Sequence, residues 1–302
     1  MQNLDMSKSI IAVVVTYNRK ELLKEAIEAL LNQHYTNCKI LVIDNASTDG
    51  TREFIDTFVD NQKVIYRNTG ANLGGAGGFN FGMKVAAQME PDFIWLMDDD
   101  CIVHKHTLSN LVIADEKLKG DYGFLSSKVL WKDGNICKMN IQRKTLTKKN
   151  FNYKSNIVPI VVSSFVSCFI PFDNIKIIGL PISDFFIWAD DWEYTRRLSR
   201  KYSCYLVNKS VVTHKTASNN GSDISKDAEE RLDRYSYAFR NEGYIFRREG
   251  LIGVIYYITK CLYNILKVII NRGCNNKKKR ITIVFKGLID GLKFNPKIEF
   301  IE

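Results

Sequence analysis

Three consecutive aspartates, Asp98-Asp99-Asp100, follow the apolar segment 93–97 (FIWLM). Adjacent carboxylates repel one another unless a cation or water neutralises them. Mg²⁺ and Mn²⁺ prefer oxygen ligands and often combine one or two carboxylates with substrate phosphates. Because alternate residues can turn toward the same ligand, Asp98 and Asp100 are the expected metal pair. The alternative is a solvated acidic turn.

A second acidic cluster lies further along the chain, where Asp190 and Asp191 stand between Trp188 and Trp192 and are followed by Glu193. Apolar surroundings raise the pKa of a carboxylate toward that of a useful general base. Aromatic rings offer flat apolar faces that suit a sugar ring. The pattern therefore indicates a base beside an acceptor sugar. It is also typical of a helix N-terminus, where acidic side chains are favourable.

Four glycines occur within residues 74–78, inside the segment 72–79 (NLGGAGGF). Glycine permits close approach of the backbone, and helix N-termini attract phosphate, so we expect a phosphate-binding loop before a helix that begins near Phe79. The segment lacks the GxGxxG fingerprint after a first strand, and the chain has no GxxxxGK[ST]. A dinucleotide-binding dehydrogenase and a P-loop enzyme are therefore disfavoured.

Two single residues are ambiguous from sequence. Asp44 ends a predicted strand at 39–43, where it either accepts a hydrogen bond from a base or ribose or caps the following helix. His214 follows the apolar pair 211–212, and a lone histidine in that position is more often structural than a ligand.

The elements that must position these residues alternate along the chain. Short apolar runs predict buried strands at 10–15, which is rich in β-branched residues, and at 39–43, 64–66 and 93–97. Helical spacing of apolar residues lies between them, which argues for an α/β fold with a mostly parallel central sheet flanked by helices. Ligands bind beyond the carboxyl ends of such strands. The polar motifs at 16–19, 44–47 and 98–100 stand at those ends, so we expect them to converge.

Composition and charge narrow the class of protein. The 302-residue chain is 45% hydrophobic and 25% charged, as in an ordinary globular protein of about one or two domains. Its seven cysteines form no CxxC pair, so reduced thiols in a cytoplasmic protein are expected. The N-terminus does not resemble a secretion signal. Residues 251–302 carry +7 of the net charge of +10, whereas the remainder is near neutral, which argues against nucleic-acid binding.

Residues 251–271 are strongly apolar. Their polar and small members share one helical stripe: Gly253, Lys260, Asn264, Lys267 and Asn271. A spanning helix would bury the two lysines at about 2.5–3.5 kcal/mol each near its centre. With the basic run at 277–280 and a second amphipathic run at 281–294, we expect a helical amphipathic tail on the inner membrane face beside anionic lipid. The alternative is a helical hairpin packed on the catalytic domain or at a homo-oligomer interface.

Six motifs follow one another along the chain: VVVTYNR, ILVIDNASTDGT, NLGGAGGFNFG, WLMDDD, FIWADDWEYTRR and VVTHK. In this order they resemble the family 2 glycosyltransferases of the GT-A fold. The NLGGAGGF and DDD pair is most similar to bacterial galactofuranosyltransferases and their rhamnosyltransferase-like relatives, and the segment 235–244 (YSYAFRNEGY) is similar to a tract in that group. We expect a catalytic domain at 1–250, with a nucleotide-binding half at 1–120 and an acceptor-binding half at 121–250, ahead of the tail at 251–302.

The resemblance implies an inverting transfer by single displacement. Asp98 and Asp100 would hold a divalent metal, Mn²⁺ or Mg²⁺, with His214 as third ligand, and Asp191 would be the catalytic base. The nucleotide-sugar donor is expected to lie against Thr16, Tyr17, Arg19, Asp44, Asn72, Gly74, Gly75, Asp98 and Asp99. The acceptor is expected to face Trp188, Asp190, Trp192 and Glu193. Trp192 stands where relatives usually have a small residue.

The sequence thus predicts an enzyme that transfers galactofuranose from UDP-galactofuranose to a lipid-linked glycan acceptor in bacterial cell-surface polysaccharide synthesis. A rhamnosyltransferase that uses dTDP-rhamnose is an alternative. A nucleotidyltransferase also uses paired aspartates, but it usually needs a basic triphosphate grip, and the first turn offers only Arg19 and Lys20. A third possibility is a non-catalytic nucleotide-sugar-binding partner in a membrane glycan assembly complex.

Overall fold

The computed structural model describes residues 6–58 and 62–301. Within these residues a single nine-stranded sheet is flanked by helices. The strands are β1 Ile10–Thr16, β2 Cys38–Asp44, β3 Val64–Asn68, β4 Phe93–Asp98, β5 Cys101–Val103, β6 Leu125–Trp131, β7 Ile157–Ile160, β8 Cys168–Pro171 and β9 Cys204–His214. The helices are α1 Lys20–Leu31, α2 Thr51–Asp56, α3 Gly74–Ala87, α4 Thr107–Leu118, α5 Phe172–Ile178, α6 Asp190–Ser199, α7 Leu232–Arg247, α8 Gly250–Ile270 and α9 Lys277–Lys293.

The strand order is β3-β2-β1-β4-β8-β6-β9-β5, and β7 also pairs with β9. Strands β3, β2, β1 and β4 are parallel, as the alternating pattern predicts. Strand β8 then runs antiparallel to both β4 and β6, while β6 and β9 are parallel. The α/β fold is confirmed. Antiparallel pairing is confined to the second half of the sheet and to its short strands.

The central strand β1 is apolar without interruption because both of its faces are covered. Ile10, Ala12 and Val14 lie in one core cluster with α1. Ile11, Val13 and Val15 lie in the opposite cluster with α3. These two layers fix the carboxyl end of β1 and hence the position of the first polar motif.

The expected glycine-rich loop is instead the first turns of α3, which begins at Gly74 rather than near Phe79. A Cβ on Gly78 would lie 2.6 Å from Val15 Cγ1, and a Cβ on Gly82 would lie 2.6 Å from Val13 Cγ1. The helix therefore packs directly on β1, which a larger residue at either position would prevent. Close packing against the sheet outweighs the low helix propensity of glycine.

The C-terminal helices α8 and α9 share a core with the rest of the chain. Tyr257 of α8 and Val284 of α9 are buried in one cluster with Ile182 and Phe185, which precede α6. The final segment also returns to the residues before α6, where Leu180 N donates to the backbone oxygen of Glu299 over 2.7 Å. Residues 251–301 are thus integrated into the fold through packing and hydrogen bonds.

Candidate active site

The side chains that are predicted to bind a metal meet because two strands pair across a long sequence separation. β4 ends at Asp98, a tight turn follows, and β5 pairs antiparallel with the end of β9, so that Cys101 stands opposite His214. Ligand atoms of Asp98, Asp100 and His214 all lie within 4.8 Å of one another. One imidazole and two carboxylates form a plausible donor set for a divalent cation such as Mn²⁺.

The contacts around these groups fit a metal site. Asn140 Oδ1 accepts a hydrogen bond from Cys137 Sγ at 3.0 Å and lies 2.7 Å from His214 Nδ1. As an acceptor it requires the proton on Nδ1, which leaves a lone pair on Nε2 of the neutral ring. His214 Nε2 lies 2.9 Å from Asp100 Oδ1, yet this buried oxygen has no donor in good hydrogen-bond geometry within the described residues. Once a cation displaces the proton from Nε2, a lone pair of the imidazole and one of the Asp100 carboxylate can face the same ion.

Burial, together with neighbouring charges, shifts the pKa values of Asp98, Asp99 and His214. Burial, followed by the charge of Asp100, raises the pKa of Asp98 to about 7. Burial also raises the pKa of Asp99 to about 6. Burial alone would lower the pKa of His214, but the neighbouring Asp100 carboxylate raises it to about 10. The metal-free site therefore retains protons, and a bound cation must displace them.

We expect replacement of Asp98 by asparagine to stabilise the metal-free protein increasingly as the pH rises. The pKa of Asp98 is about 7 in the fold against an ordinary 3.8, so the folded state holds the proton more tightly. This favourable contribution is present below pH 4 and is lost as the pH rises toward 7. Urea unfolding in EDTA at pH 5 and pH 7.5 measures the effect, with the exposed Asp184→Asn as control. A stability difference between wild type and Asp98→Asn that stays the same at both pH values would contradict it.

Asp98, Asp100 and His214 are called the metal group below. Asp99 lies outside this group and is bound by residues of the first polar motif, 16–19. Its carboxylate accepts hydrogen bonds from Thr16 Oγ1 at 2.8 Å and from Arg19 Nη1 at 3.2 Å. Arg19 also reaches Asp100 at 3.0 Å and remains half exposed. Tyr17 is 43% exposed at the end of β1. The structure thus brings Thr16, Arg19 and Asp99 together and leaves the guanidinium and the Tyr17 ring accessible to a ligand.

Asp44 is fully buried and both of its carboxylate oxygens have partners. Oδ2 accepts from the Tyr66 hydroxyl at 2.7 Å, and Oδ1 accepts from Ser47 N at 2.8 Å. These contacts fix the turn after β2. They are not those of a helix cap, because the N-cap of α2 is Gly50. Its contact with a base or ribose stays a prediction.

The beginning of α3 is shaped by Gly74, whose φ of +70° lies in the left-handed region. A Cβ there would lie 2.1 Å from the carbonyl oxygen of Phe186, so only glycine fits. Asn72 Oδ1 accepts from Gly74 N at 2.9 Å and holds this geometry. Gly75, in contrast, has open space where a Cβ would point, which leaves its backbone approachable.

The acidic pair begins α6. Burial, together with the charge of Asp190, raises the pKa of Asp191 well above its ordinary value. Burial also raises the pKa of Asp190 to about 6. The negative charge of Asp98 adds to the shift at Asp191, so the two acidic clusters are close enough to interact. A carboxyl group with such a raised pKa is suited to accept a proton.

The remaining predicted acceptor residues have different surroundings. Trp188 packs edge-on against Tyr235 with ring centroids 5.1 Å apart. The Arg143 guanidinium lies 4.1 Å from the centre of the Trp192 ring. Glu193 is buried and its carboxylate pairs with Arg197 at 2.8 Å. Trp188 and Trp192 remain partly exposed, whereas the contacts of Glu193 are those of a structural ion pair. Its acceptor role stays a prediction.

Two residues around the site have no local signal in the sequence. Asn140, which supports His214, lies in a polar stretch without periodicity. Asn241, described below, lies inside the segment 235–244 that the family resemblance includes, but only the folded contacts identify its partners.

The fold and the two acidic clusters are those of a glycosyltransferase. The family described as Glycosyl transferase family 2 matches residues 11–169, and the chain belongs to that family. It is 26% identical over 270 residues to Galactofuranosyltransferase GlfT1 of Mycolicibacterium smegmatis, covering 80% of this chain and 84% of the relative. It is 37% identical over 102 residues to Abequosyltransferase RfbV of Salmonella typhimurium, covering 32% of this chain and 30% of the relative.

Solved structures show the same fold at low sequence identity. S. aureus TarS 1-349 in complex with UDP-GlcNAc superposes with a TM-score of 0.54 at 15% identity, covering 95% of this chain and 73% of the other. Mannosyltransferase PcManGT from Pyrobaculum calidifontis, in complex with GDP-Man and Mn²⁺, gives 0.58 at 14% identity, covering 96% of this chain and 77% of the other.

Proposed function

We propose that this glycosyltransferase is metal-dependent and inverting, and that it acts on a glycan acceptor in cell-surface polysaccharide synthesis. The observation that carries the proposal is the convergence of Asp98, Asp100 and His214 near a second carboxyl cluster in which the pKa of Asp191 is strongly raised. A single displacement needs a base for the acceptor hydroxyl and stabilisation of the leaving diphosphate, and each cluster would supply one of these. The similarity to GlfT1 and RfbV supports the glycan context.

In the proposed reaction Asp191 takes the proton of an acceptor hydroxyl, which is otherwise a poor nucleophile. The hydroxyl oxygen forms a bond to the anomeric carbon while the bond from that carbon to the diphosphate oxygen breaks, which inverts the configuration. Arg19, half exposed beside Asp99 and Asp100, supplies positive charge on the donor side. A cation bound by the metal group would stabilise the negative charge that develops on the leaving diphosphate.

The proposed donor is UDP-galactofuranose, with dTDP-rhamnose as the alternative. The similarity to two mycobacterial GlfT1 proteins over 80–82% of this chain supports the first. A panel of nucleotide sugars, assayed for release of free UDP or dTDP in the presence of Mn²⁺ or Mg²⁺, tests the choice. We expect release from UDP-galactofuranose in excess of UDP-galactopyranose and dTDP-rhamnose. Metal-dependent UDP binding without turnover of any donor would favour the non-catalytic partner.

We further propose that α8 attaches the enzyme to the cytoplasmic face of a membrane that carries a lipid-linked acceptor. Within the described residues α8 is the helix long and apolar enough to span a bilayer. Its polar stripe, however, faces the protein: Lys260 pairs with Glu242 at 2.7 Å and Lys267 with Asp223 at 2.6 Å. The outward face is apolar, with Ile252 83% and Ile270 66% exposed. This pattern is the reverse of a soluble surface helix and favours a helix lying in the interface.

The basic run at 277–280 contributes less to this surface than its sequence indicates. Arg280 is buried and donates to the backbone oxygen of Asp227 at 2.9 Å. Lys277 donates to the backbone oxygen of Ile269 at the end of α8. Lys278 and Lys279 are exposed, but Lys279 Nζ lies 3.9 Å from Glu229 Oε1. The expected attraction to anionic lipid therefore rests mainly on Lys278.

Replacing Ile252 and Leu266 by glutamate is expected to abolish vesicle binding. Burial of one such side chain is worth about 1.5–3 kcal/mol, so loss of two lowers partitioning at least about 100-fold. Co-sedimentation with vesicles that contain anionic phospholipid measures this. Ile177→Glu, at an exposed isoleucine of α5, is the matched control. Full vesicle binding by the double variant would contradict the proposal. If the wild type is a dimer and the double variant is a monomer that still binds vesicles, the result would support the homo-oligomer alternative.

A further inference from the structure

The segment 185–189, which leads into α6, has a strained backbone. Phe186 has φ 60° and ψ −61°, and Ile187 N donates to the backbone oxygen of Phe185 at 2.7 Å. This is a γ-turn of the rare, strained hand. Trp188 and Ala189 follow with φ of 67° and 66°, a left-handed conformation unusual outside glycine. Such a segment persists only where the surrounding structure holds it in place.

One side chain on α7 holds most of this segment. Asn241 is 0% exposed, and its Nδ2 donates to the backbone oxygens of Trp188 at 2.8 Å, Phe185 at 2.9 Å and Ile187 at 3.2 Å. Its Oδ1 accepts from Arg240 Nε at 3.0 Å and from Arg240 Nη2 at 2.9 Å. The amide is therefore fixed in the orientation that points its two protons at the turn.

The same segment connects the two halves of the candidate active site. The carbonyl oxygen of Phe186 accepts from Ala76 N at 3.1 Å, in the first turn of α3. At its other end, Ala189 directly precedes Asp190 and Asp191. A shift in this segment would therefore move the base relative to the donor side.

We propose that Asn241 is a positioning residue that sets the distance between the Asp191 carboxylate and the bound donor. The proposal rests on the proposed function, since Asp191 must act as the base. It requires the contacts of Asn241 to matter to chemistry beyond their contribution to stability. A misplacement of about 1 Å in a reacting group costs on the order of 100-fold in rate.

Asn174 offers a matched control. It is a buried asparagine on α5 whose Nδ2 donates to the backbone oxygens of Tyr122 at 2.8 Å and Gly123 at 3.4 Å. α5 follows β8, whose Pro171 stands opposite Phe93 at the start of β4. It therefore lies at the opposite end of the sheet from the aspartates.

Asn241→Ser and Asn174→Ser are compared in the full-length protein with metal, donor and acceptor. We expect Asn241→Ser to lower kcat about 100-fold with little change in the KM of the donor. Hydrogen exchange in residues 183–191 should become faster. Asn174→Ser should retain wild-type kcat and wild-type exchange in that segment. If Asn241→Ser does not fold, Arg240→Met leaves the amide in place but removes the groups that orient it, together with the bond from Arg240 Nη2 to the backbone oxygen of Asp184 at 2.6 Å. It should lower kcat in the same direction.

Equal kcat values for the two asparagine variants would overturn the proposal. So would a loss of kcat/KM in Asn241→Ser that lies entirely in the donor KM, because Asn241 would then act on donor binding. The exchange measurement needs no turnover. If wild type transferred no sugar, the proposed function would fail, while unchanged exchange in 183–191 would separately show that Asn241 does not hold the segment.

Discussion

Asp191→Asn is expected to lower kcat for transfer about 1,000-fold, within the range that general-base catalysis contributes. Asparagine has the same shape but cannot take the proton of the acceptor hydroxyl. It keeps an oxygen to accept from Trp192 N, the contact that Asp191 Oδ1 makes at 2.7 Å. Donor binding should therefore remain, and the loss should appear in kcat rather than in the KM of the donor. Initial rates with saturating donor and a glycan acceptor measure this.

The matched control is Asp184→Asn, at an exposed aspartate that precedes α6. It should retain wild-type turnover. Undiminished turnover by Asp191→Asn would remove Asp191 from the reaction and leave Asp190, whose pKa is raised to about 6, as the next carboxylate to test.

Removal of the metal or of its histidine ligand is expected to have an effect of similar size. EDTA treatment, or His214→Ala, should reduce turnover about 1,000-fold, equal to about 4 kcal/mol of transition-state stabilisation. Without the cation, the carboxylates of Asp98 and Asp100 would repel the negative charge that develops on the leaving diphosphate. Added Mn²⁺ should restore the EDTA-treated wild type but not His214→Ala. His106→Ala, at an exposed histidine, is the control. Full activity in EDTA would exclude metal dependence.

Local sequence patterns predict the strands of the parallel half of the sheet. They do not predict strands that form only by pairing with residues distant in sequence. The apolar runs of β1, β2 and β4 predict their strands because a strand that is covered on both faces is apolar along its own sequence. β5 has three residues and β7 and β8 have four each. Such short strands exist through partners distant in sequence, and no periodicity can reveal them.

His214 shows the same limit at the level of the site. A lone histidine after a strand has no local feature that marks a ligand, and only the pairing of Cys101 with His214 brings it to the aspartates. The family resemblance supplied that position, whereas spacing did not. The prediction of a glycine-rich loop was wrong for a different reason. Gly78 and Gly82 are required for close contact of α3 with β1 rather than for flexibility.

Helix α8 in the C-terminal tail shows what the periodicity of a sequence can predict and what it cannot. The spacing of Lys260 and Lys267 correctly places both on one face of a helix. It cannot tell whether that face meets water, lipid or protein, because Glu242 and Asp223 lie elsewhere in the sequence. The direction of α8, with its apolar face outward, is a property of the folded chain.

The central claim is that one cation is shared between the metal group and the donor diphosphate. Electron–nuclear double resonance of Mn²⁺ in the complex with UDP tests it directly, because it detects magnetic nuclei among the ligand atoms and the atoms bonded to them. We expect coupling both to ³¹P of the diphosphate and to ¹⁴N of His214, with the nitrogen coupling lost in His214→Ala. Coupling to ³¹P alone in the wild type, as for a Mn²⁺–UDP complex free in solution, would contradict the account.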